Sequence, residues 1–301
     1  MLTVLRAHRH YYKFLLLTAA IIWGSSFVVV KNTLYTLPPA FIMTVRFLIA
    51  FIILFCVFFK QIKLINKKVF LYGTILGCFM CLSFFFQNYG LIYTTPSKNA
   101  FLTASYCIMT PFLFWLIGKS KPDKYNILAG ILCIVGIAFI SLTNSFILEK
   151  GDIYSLLAGF FVAVQLVLIT IYGKKQNLLL ITIVQFGIGA LASLIICLLF
   201  EKMPNLSTIS NANLLQLFYL TIFCTLITML LQNIGLKFVE PAQASIILSL
   251  EGVFAIIFSI LFFNEQPTIK MYIGFLAIMI AVIVSEAKPK FLSLKNFIKH
   301  R

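Results

Sequence analysis

Charged residues are scarce in this 301-residue chain, where Asp, Glu, Lys and Arg together make up 11% and only 8 residues are acidic. A soluble domain carries about 25% charged residues, so the composition excludes an ordinary water-soluble fold. Disorder is excluded too, because it needs low hydrophobicity and 61% of this chain is hydrophobic. Since a membrane-spanning helix takes roughly 20 apolar residues, the sequence predicts an all-α integral membrane protein.

Histidine is confined to the two tails, at His8, His10 and His300. No imidazole is therefore expected inside the membrane as a base, a proton shuttle or a metal ligand. A membrane enzyme needs paired carboxylates, a histidine-based triad or a metal cluster, and the sequence offers none of these in its apolar runs. No Walker sequence is visible either. We therefore expect a protein that is not an enzyme and that needs no cofactor, no metal and no direct ATP hydrolysis.

Hydropathy predicts ten membrane-spanning helices. They are expected at 14–36, 39–59, 69–93, 97–117, 126–144, 153–173, 178–200, 212–236, 241–263 and 271–286. No connecting loop between them is long enough for a soluble domain. Function is therefore expected inside the helical bundle.

The distribution of basic residues predicts the orientation of the chain. With the N-terminus inside, 18 of the 24 Lys and Arg residues fall on cytoplasmic segments and 4 on outer loops. This positive-inside bias predicts a multi-pass plasma-membrane protein with both termini in the cytoplasm. It also explains the net charge of +16 without nucleic acid as a partner. Residues 291–299 are expected to form either a short amphipathic surface helix or a solvated basic tail.

An internal repeat is the strongest signal in the sequence. Residues 87–96 and 232–241 are identical at five of ten positions, with a spacing of 145 residues. The spacing predicts two five-helix halves, 1–145 and 146–301. Because five is odd, the second half enters the membrane from the opposite side, an inverted repeat that is typical of secondary transporters. The alternative is a scaffold or sensor that keeps the repeat only as a trace of duplication.

Two charged residues fall inside predicted spans. Arg46 is expected to hold a substrate carboxylate or phosphate, to form a structural ion pair, or to extend towards the membrane surface. Glu251 is the one carboxylate well inside a predicted span. It is expected to carry a coupling proton, to bind a cationic group, or to pair with Arg46.

Uncharged polar side chains also interrupt the apolar runs. Thr221, Thr225, Thr228 and Gln232 follow helical spacing and so share one predicted helix face. The alternatives for such residues are a substrate cavity and hydrogen-bonded contacts between helices. The candidate cavity residues are Trp23, Ser26, Arg46, Gln87, Asn88, Gln165, Gln185, Thr228, Gln232 and Asn233.

Several segments resemble a known family of membrane permeases. The run 23–31, Trp-Gly-Ser-Ser-Phe-Val-Val-Val-Lys, is similar to the first helix of EamA-domain permeases in the drug/metabolite transporter superfamily. Further similar segments are Pro39 with Arg46 and Phe47, residues 93–103 with Pro111, residues 241–255 with Asn264 and Glu265, and Gly274 with its flanks. The resemblance covers nearly the whole chain.

This resemblance implies ten helices in two EamA repeats, cytoplasmic termini and a central substrate cavity. It implies a permease or exporter of small metabolites such as amino acids, driven by a solute or proton gradient. The expected partners are the small-molecule substrate and the lipid bilayer, and the expected assembly is a monomer or homodimer. Substrate, direction of flux and coupling ion stay open at this point.

Overall fold

The fold is a bundle of fourteen α-helices in the computed structural model, which describes residues 2–117, 121–141, 149–173, 175–205, 209–239 and 241–287. The first half contributes α1 (Leu2–Thr33), α2 (Pro39–Val57), α3 (Phe59–Ile62), α4 (Lys67–Tyr93), α5 (Pro96–Ala104), α6 (Tyr106–Leu116) and α7 (Lys124–Ser141). The second half contributes α8 (Lys150–Gly173), α9 (Leu178–Phe200), α10 (Asn211–Thr221), α11 (Thr228–Phe238), α12 (Pro241–Ser249), α13 (Glu251–Phe263) and α14 (Ile269–Ala287). A π-helical segment, Ile222–Ile227, joins α10 to α11. The described residues contain no strand.

Local sequence explains where several helices begin. The side chains of Asn66, Asn177 and Ser210 accept a backbone N–H of the helix that follows each of them. Such caps satisfy N–H groups that have no partner inside the helix. Helices α2 and α5 begin with Pro39 and Pro96, at the position where the missing N–H costs nothing, and the Thr95 hydroxyl also caps α5 by accepting from the Lys98 N–H.

Seven helical segments of the described chain are long and apolar enough to cross a membrane. They are His10–Thr33, Pro39–Val57, Lys67–Tyr93, Pro96–Leu116, Lys150–Gly173, Leu178–Phe200 and Asn211–Phe238. Three further apolar helices are shorter: Lys124–Ile140, Ile247–Phe263 and Ile269–Ala281. The protein is therefore a multi-pass, all-helical membrane protein. Residues 291–299, predicted as a surface helix or basic tail, lie outside the described residues.

Three segments predicted as single uninterrupted helices are interrupted in the structure. A single residue interrupts the regular α-helical hydrogen bonding at Ser105, between α5 and α6, and at Leu250, between α12 and α13, while the backbone stays in the right-handed helical region. The predicted helix 212–236 contains the π-helical segment. Hydropathy responds to the length of an apolar run and not to its hydrogen bonding, so it does not reveal breaks of this kind.

Side chains are distributed as expected for a protein surrounded by lipid. Large apolar side chains point outward, including Phe200 at 78% exposure and Leu116 at 75%. Polar side chains point inward, and Arg46, Asn88 and Gln185 are almost fully buried. Because lipid cannot satisfy polar groups, this distribution directs them to the interior of the bundle.

The two sequence halves pack against each other along their length. Helix α4 packs on α8 and α9, α2 on α9, α1 on α11 and α13, and α7 on α14. One close approach joins α7 and α14, where a Cβ added to Gly274 would lie 2.6 Å from the carbonyl oxygen of Gly136. Any cavity in the middle of the bundle is consequently bounded by both halves.

The two ends of the bundle differ in charge. One end, called the basic end here, carries Lys60, Lys63, Lys67, Lys175 and Lys237 at helix termini and short loops. The opposite end carries the acids Glu149, Asp152, Glu201 and Glu265 together with five lysines, Lys31, Lys98, Lys150, Lys202 and Lys270. Contacts such as Lys98 with Asp152 tie members of this set together, and Glu201 also accepts the Ala40 N–H.

Candidate functional site: a cavity between the two halves

A polar cavity lies in the middle of the bundle, between helices of both halves. About 40 Å³ of it is open to the centres of water molecules, which is room for a few waters, since one water needs roughly 10–15 Å³ on this measure. In this conformation the cavity is therefore too small for a metabolite. It is lined by Trp23, Ser26, Phe27, Arg46, Ser83, Phe84, Gln87, Thr103, Tyr106, Val162, Gln165, Met229, Gln232 and Glu251.

The two helix breaks meet at this cavity. Tyr106 is the first residue of α6 and Glu251 is the first residue of α13, so each directly follows the break in its own half. The residues before them have nearly the same backbone, with φ −57° and ψ −12° at Ser105 and φ −60° and ψ −14° at Leu250. Discontinuous helices at corresponding places of two repeats mark binding sites in transporters, and these irregular turns are a milder form of that feature.

The lining residues are largely repeat-equivalent pairs. At the spacing of 145 residues, Gln87 corresponds to Gln232, Phe84 to Met229, and Tyr106 to Glu251. The run Val-Arg-Phe at 45–47 recurs as Val-Gln-Phe at 184–186, and at that spacing of 139 residues Ser26 corresponds to Gln165 and Trp23 to Val162. The cavity thus lies where the two halves present the same faces to each other.

Arg46 is held in the cavity without an acidic partner among the residues that the structure describes. Its side chain is 2% exposed, and its Nε donates to the Thr225 hydroxyl at 2.8 Å. Its guanidinium carbon lies 4.9 Å from the centre of the Phe84 ring, a cation–π arrangement. The ion pairs found among the described residues join Lys98 to Glu149 and Asp152. The guanidinium therefore keeps donors available for an anionic group.

The π-helical segment explains how Arg46 and Trp23 are positioned. Its wider turn lets the Thr225 hydroxyl donate to the Leu220 carbonyl five residues earlier while it accepts from Arg46. It also presents the Cys224 carbonyl to the Trp23 indole N–H at 2.9 Å. Segments of this kind are rare and frequently occur at functional sites.

Glu251 lines the same cavity and is 5% exposed. The Tyr106 hydroxyl lies beside its carboxyl group. No ion pair joins Glu251 to Arg46 in the part of the chain that the structure describes. Helix α13, which carries Glu251, packs closely on α1, since a Cβ added to Gly24 of α1 would lie only 2.9 Å from the Glu251 carbonyl oxygen. Glu251 thus faces Tyr106 and the cavity rather than Arg46.

One buried polar atom of the lining lacks a hydrogen-bond partner among the described residues. It is the Gln165 Nε2, on a side chain that is 5% exposed. The Tyr106 hydroxyl, on a side chain that is 1% exposed, faces the Glu251 carboxyl group instead. An unsatisfied buried polar group costs about 1–3 kcal/mol. The position of the Gln165 amide is explained if waters or a polar ligand occupy the cavity.

The structure brings together seven of the predicted residues: Trp23, Ser26, Arg46, Gln87, Gln165, Gln232 and Glu251. The other four candidates lie outside the lining. Gln185 packs against Met80, Asn233 donates to Thr182, and Thr228 donates to the Phe223 carbonyl. Asn88 is fully buried, and no described group is bonded to either of its side-chain polar atoms.

Sequence reasoning missed Tyr106 and Phe84. A signal for both was present, because the repeat spacing pairs Tyr106 with Glu251 and Phe84 with Met229. Tyr106 was not considered because a tyrosine in an apolar run is ordinarily a packing residue.

Comparison with known proteins identifies the family. The model of the EamA-like transporter family matches residues 11–142 and again residues 149–286. The chain belongs to the EamA-like transporter family. The two matches together cover most of the chain, so this EamA protein contains the family unit twice.

Relatives and a solved structure agree with this membership. An uncharacterised transporter of Archaeoglobus fulgidus is 33% identical over 266 residues, which are 88% of this chain and 82% of the relative. The uncharacterised transporter YoaV of Bacillus subtilis is 21% identical over 277 residues, 90% of this chain and 94% of the relative. A protein crystal structure at 13% identity has a TM-score of 0.71, covers 94% of this chain and 99% of its own, and shows the shared fold.

Membership of this family supports a membrane transporter and favours transport over enzymatic activity. It places the chain in the drug/metabolite transporter superfamily, as the segments 23–31 and 241–255 predict. The relatives carry only the general description of transporter. The chemistry of the site must therefore be argued from the cavity itself.

Proposed function

We propose that this EamA protein is a secondary transporter that moves a small polar metabolite, such as an amino acid, across the plasma membrane by alternating access. The chain would cross the membrane ten times, with the seven long helices and the three shorter ones, as two inverted halves. By the positive-inside rule, the basic end and both termini face the cytoplasm. A solute or proton gradient supplies the energy.

The proposal depends on the cavity between the two halves, which is lined largely by repeat-equivalent residues. The irregular helical turns of the two halves, at matching positions, both lie at this cavity. Inverted halves have two similar arrangements, one open to each side, with substrate bound where the halves meet. Because the described cavity holds only a few waters, this conformation corresponds to a closed state. Substrate entry then requires one end of the bundle to open.

The chemistry of the lining favours a substrate with both an anionic and a cationic group. The planar guanidinium of Arg46 suits a carboxylate, which it can bind through two N–H groups. The Glu251 carboxylate suits an ammonium group. Trp23 and Phe84 supply aromatic surface for an apolar part of the substrate. The amides of Gln87, Gln165 and Gln232 can then satisfy the remaining polar atoms.

A flux assay in sealed proteoliposomes tests this proposal. Vesicles are loaded with a mixed pool of amino acids, nucleobases and amines, and efflux is followed by mass spectrometry with and without a pH gradient. We expect efflux of one solute class, and we expect it to be lost in Arg46→Ala. Efflux that is equal in Arg46→Ala, or no efflux of any solute from folded protein, would contradict the proposal.

Gln185→Leu is the matched control. Gln185 is the repeat equivalent of Arg46, is buried in the same way, and lies outside the cavity. Leucine has a similar volume, and the exchange removes a side-chain oxygen that has no partner among the described residues. Transport should therefore persist in Gln185→Leu, which separates a role in the cavity from a general effect on the bundle.

A further inference from the structure

Glu201 caps a helix of the other half. Helix α2 begins at Pro39, which has no N–H, and its N-cap residue Pro38 offers no side-chain acceptor. The first two N–H groups of the helix, on Ala40 and Phe41, instead donate to the Glu201 carboxylate at 2.9–3.2 Å. The Tyr89 hydroxyl donates to the same carboxylate at 2.9 Å. A negative charge at a helix N-terminus is favourable, because the N–H groups there carry partial positive charge.

Glu265 makes the same kind of contact at α5. That helix also begins with a proline, Pro96, and its first N–H, on Ser97, donates to the Glu265 carboxylate at 3.3 Å. The hydroxyls of Ser97 and Ser259 bond the same carboxylate. Glu265 is directed there by Asn264, which ends α13 with φ 50° and ψ 31°, a left-handed conformation that asparagine tolerates.

An ion pair completes this end of the bundle. The Lys98 ammonium on α5 lies 2.9 Å from Asp152 on α8 and 3.1 Å from Glu149. Asp152 is fully buried and Lys98 is 9% exposed. Removing one member of a buried pair leaves an uncompensated charge, so the pair is costly to break.

All three contacts join the first half to the second, and all lie at the opposite end. At the basic end, helix α9, the repeat equivalent of α2, is capped by its own residue Asn177. The halves meet there through uncharged groups, such as the Tyr72 and Tyr172 rings stacked at 3.9 Å. Among the described residues of that end, the acid Asp123 accepts the N–H groups of its own helix. The capping of α2 by an acid of the other half is thus not repeated at its equivalent helix α9.

We propose that Glu201, Glu265 and the Lys98–Asp152 pair form a gate that holds the opposite end closed. They are positioning residues for the proposed transport cycle, and the inference rests on that function. Opening the opposite end must uncover the first N–H groups of α2 and α5 and separate an ion pair. At the basic end, α9 keeps the cap that its own Asn177 provides, so the resting protein favours opening at that end, which the positive-inside rule places in the cytoplasm.

Cysteine accessibility tests the gate without measuring transport. Ser26→Cys places a thiol in the cavity, and a membrane-impermeant maleimide is added to vesicles of each orientation. Modification by the same protein without Ser26→Cys is subtracted, because the chain has seven free cysteines. We expect faster modification from the basic end. Adding Glu201→Ala or Glu265→Ala should raise the rate from the opposite end about five-fold, the effect of losing one helix cap.

Matched variants separate the gate from general loosening. Lys202→Ala removes an exposed charge next to Glu201 and should leave both rates unchanged. Lys98→Met, which breaks the ion pair, should raise the rate of modification from the opposite end. Lys98→Arg, which keeps the positive charge, should leave that rate unchanged. Glu201→Gln, which retains one acceptor oxygen, should give a smaller rise than Glu201→Ala and serves if the alanine variant does not fold. Unchanged rates, or an equal rise from both sides, would overturn the proposal.

The same vesicles distinguish the gate from the transport function. A changed labelling rate in the gate variants, without any solute flux, would support the gate and contradict the proposed transport function. Flux that is lost in Arg46→Ala, together with labelling that ignores Glu201 and Glu265, would retain the transporter and refute the gate.

Discussion

Tyr106 and Glu251 lie side by side in the cavity although they are separated by 145 residues in sequence. Each is the first residue after a helix break, at the same place in its own half. At Ser105 the hydrogen bonding tightens, because its N–H donates to the Leu102 carbonyl three residues earlier, and a tightened turn inside a helix often marks a functional hinge or a strained sequence. The irregular turns of the two halves therefore meet at the polar cavity, where the repeat-equivalent residues Tyr106 and Glu251 lie side by side.

The position of Glu251 predicts a role in proton coupling. It is the one carboxyl group in the cavity lining, where Tyr106 and Arg46 are the other titratable groups. Glu251→Gln keeps the shape of the side chain and removes its proton exchange. We expect solute efflux in Glu251→Gln to lose its dependence on a pH gradient, measured in proteoliposomes with the gradient imposed or collapsed.

Tyr106→Phe is the control for this experiment. It removes the neighbouring hydroxyl and leaves the carboxyl group, so the dependence on the pH gradient should remain. If Glu251→Gln keeps a full response to the gradient, the assignment of Glu251 as the coupling group is wrong.

The contact between Arg46 and Thr225 predicts a specific stability pattern. Thr225→Val removes the oxygen that accepts from Arg46 Nε at 2.8 Å, and it leaves a buried charged donor unsatisfied. Hydrogen bonds to charged groups contribute about 1.5–3 kcal/mol, so the free energy of unfolding should fall by that order. Thr225→Ser keeps the oxygen and should stay close to wild type in thermal unfolding in detergent. Equal losses in both variants would show that packing of the methyl group, and not the hydrogen bond, stabilises this point.

The sequence predicts the architecture well because hydropathy, repeat spacing and charge distribution are properties of whole segments. The helical membrane class follows from them, the family follows from the resemblance of segments such as 23–31 and 241–255, and both are confirmed. The repeat also places Gln87 and Gln232 at equivalent positions, and the structure brings both into one cavity.

The details of the lining depend on helix geometry that the sequence does not show. The predicted stripe of Thr225, Thr228 and Gln232 assumed uniform α-helical spacing, but the π-helical segment adds a residue to the local turn. Thr225 consequently contacts Arg46 while Thr228 bonds its own backbone. Glu201 and Glu265 fall between predicted spans. Their contacts join helices that are far apart in sequence, and such contacts leave no local sequence pattern.

Close packing of α1 against α13 predicts sensitivity to a single methyl group. A Cβ added to Gly24 would lie 2.5 Å from the Phe254 Cβ and 2.9 Å from the Glu251 carbonyl oxygen. Gly24→Ala should therefore displace α13 and lower the free energy of unfolding by about 1–3 kcal/mol, the usual cost of overpacking. Gly130→Ala is the matched control, because its added Cβ meets no atom closer than 3.8 Å. Comparable thermal stability of the two variants would contradict the packing described here.

Gln165 offers the clearest separation of function from stability. Its Nε2 is buried at the cavity without a partner among the described residues, so leucine there removes an unsatisfied group at similar volume. Such an exchange is neutral or stabilising, and Gln165→Leu should keep or raise the midpoint of thermal unfolding while it lowers solute flux. Asn233→Leu should lower the midpoint of thermal unfolding and leave solute flux unchanged, because it breaks the 2.7 Å hydrogen bond to Thr182, which lies outside the cavity. A protein in which Gln165→Leu loses stability and keeps its flux would assign Gln165 to contacts between helices, and the cavity would lose the unsatisfied group that indicates a ligand.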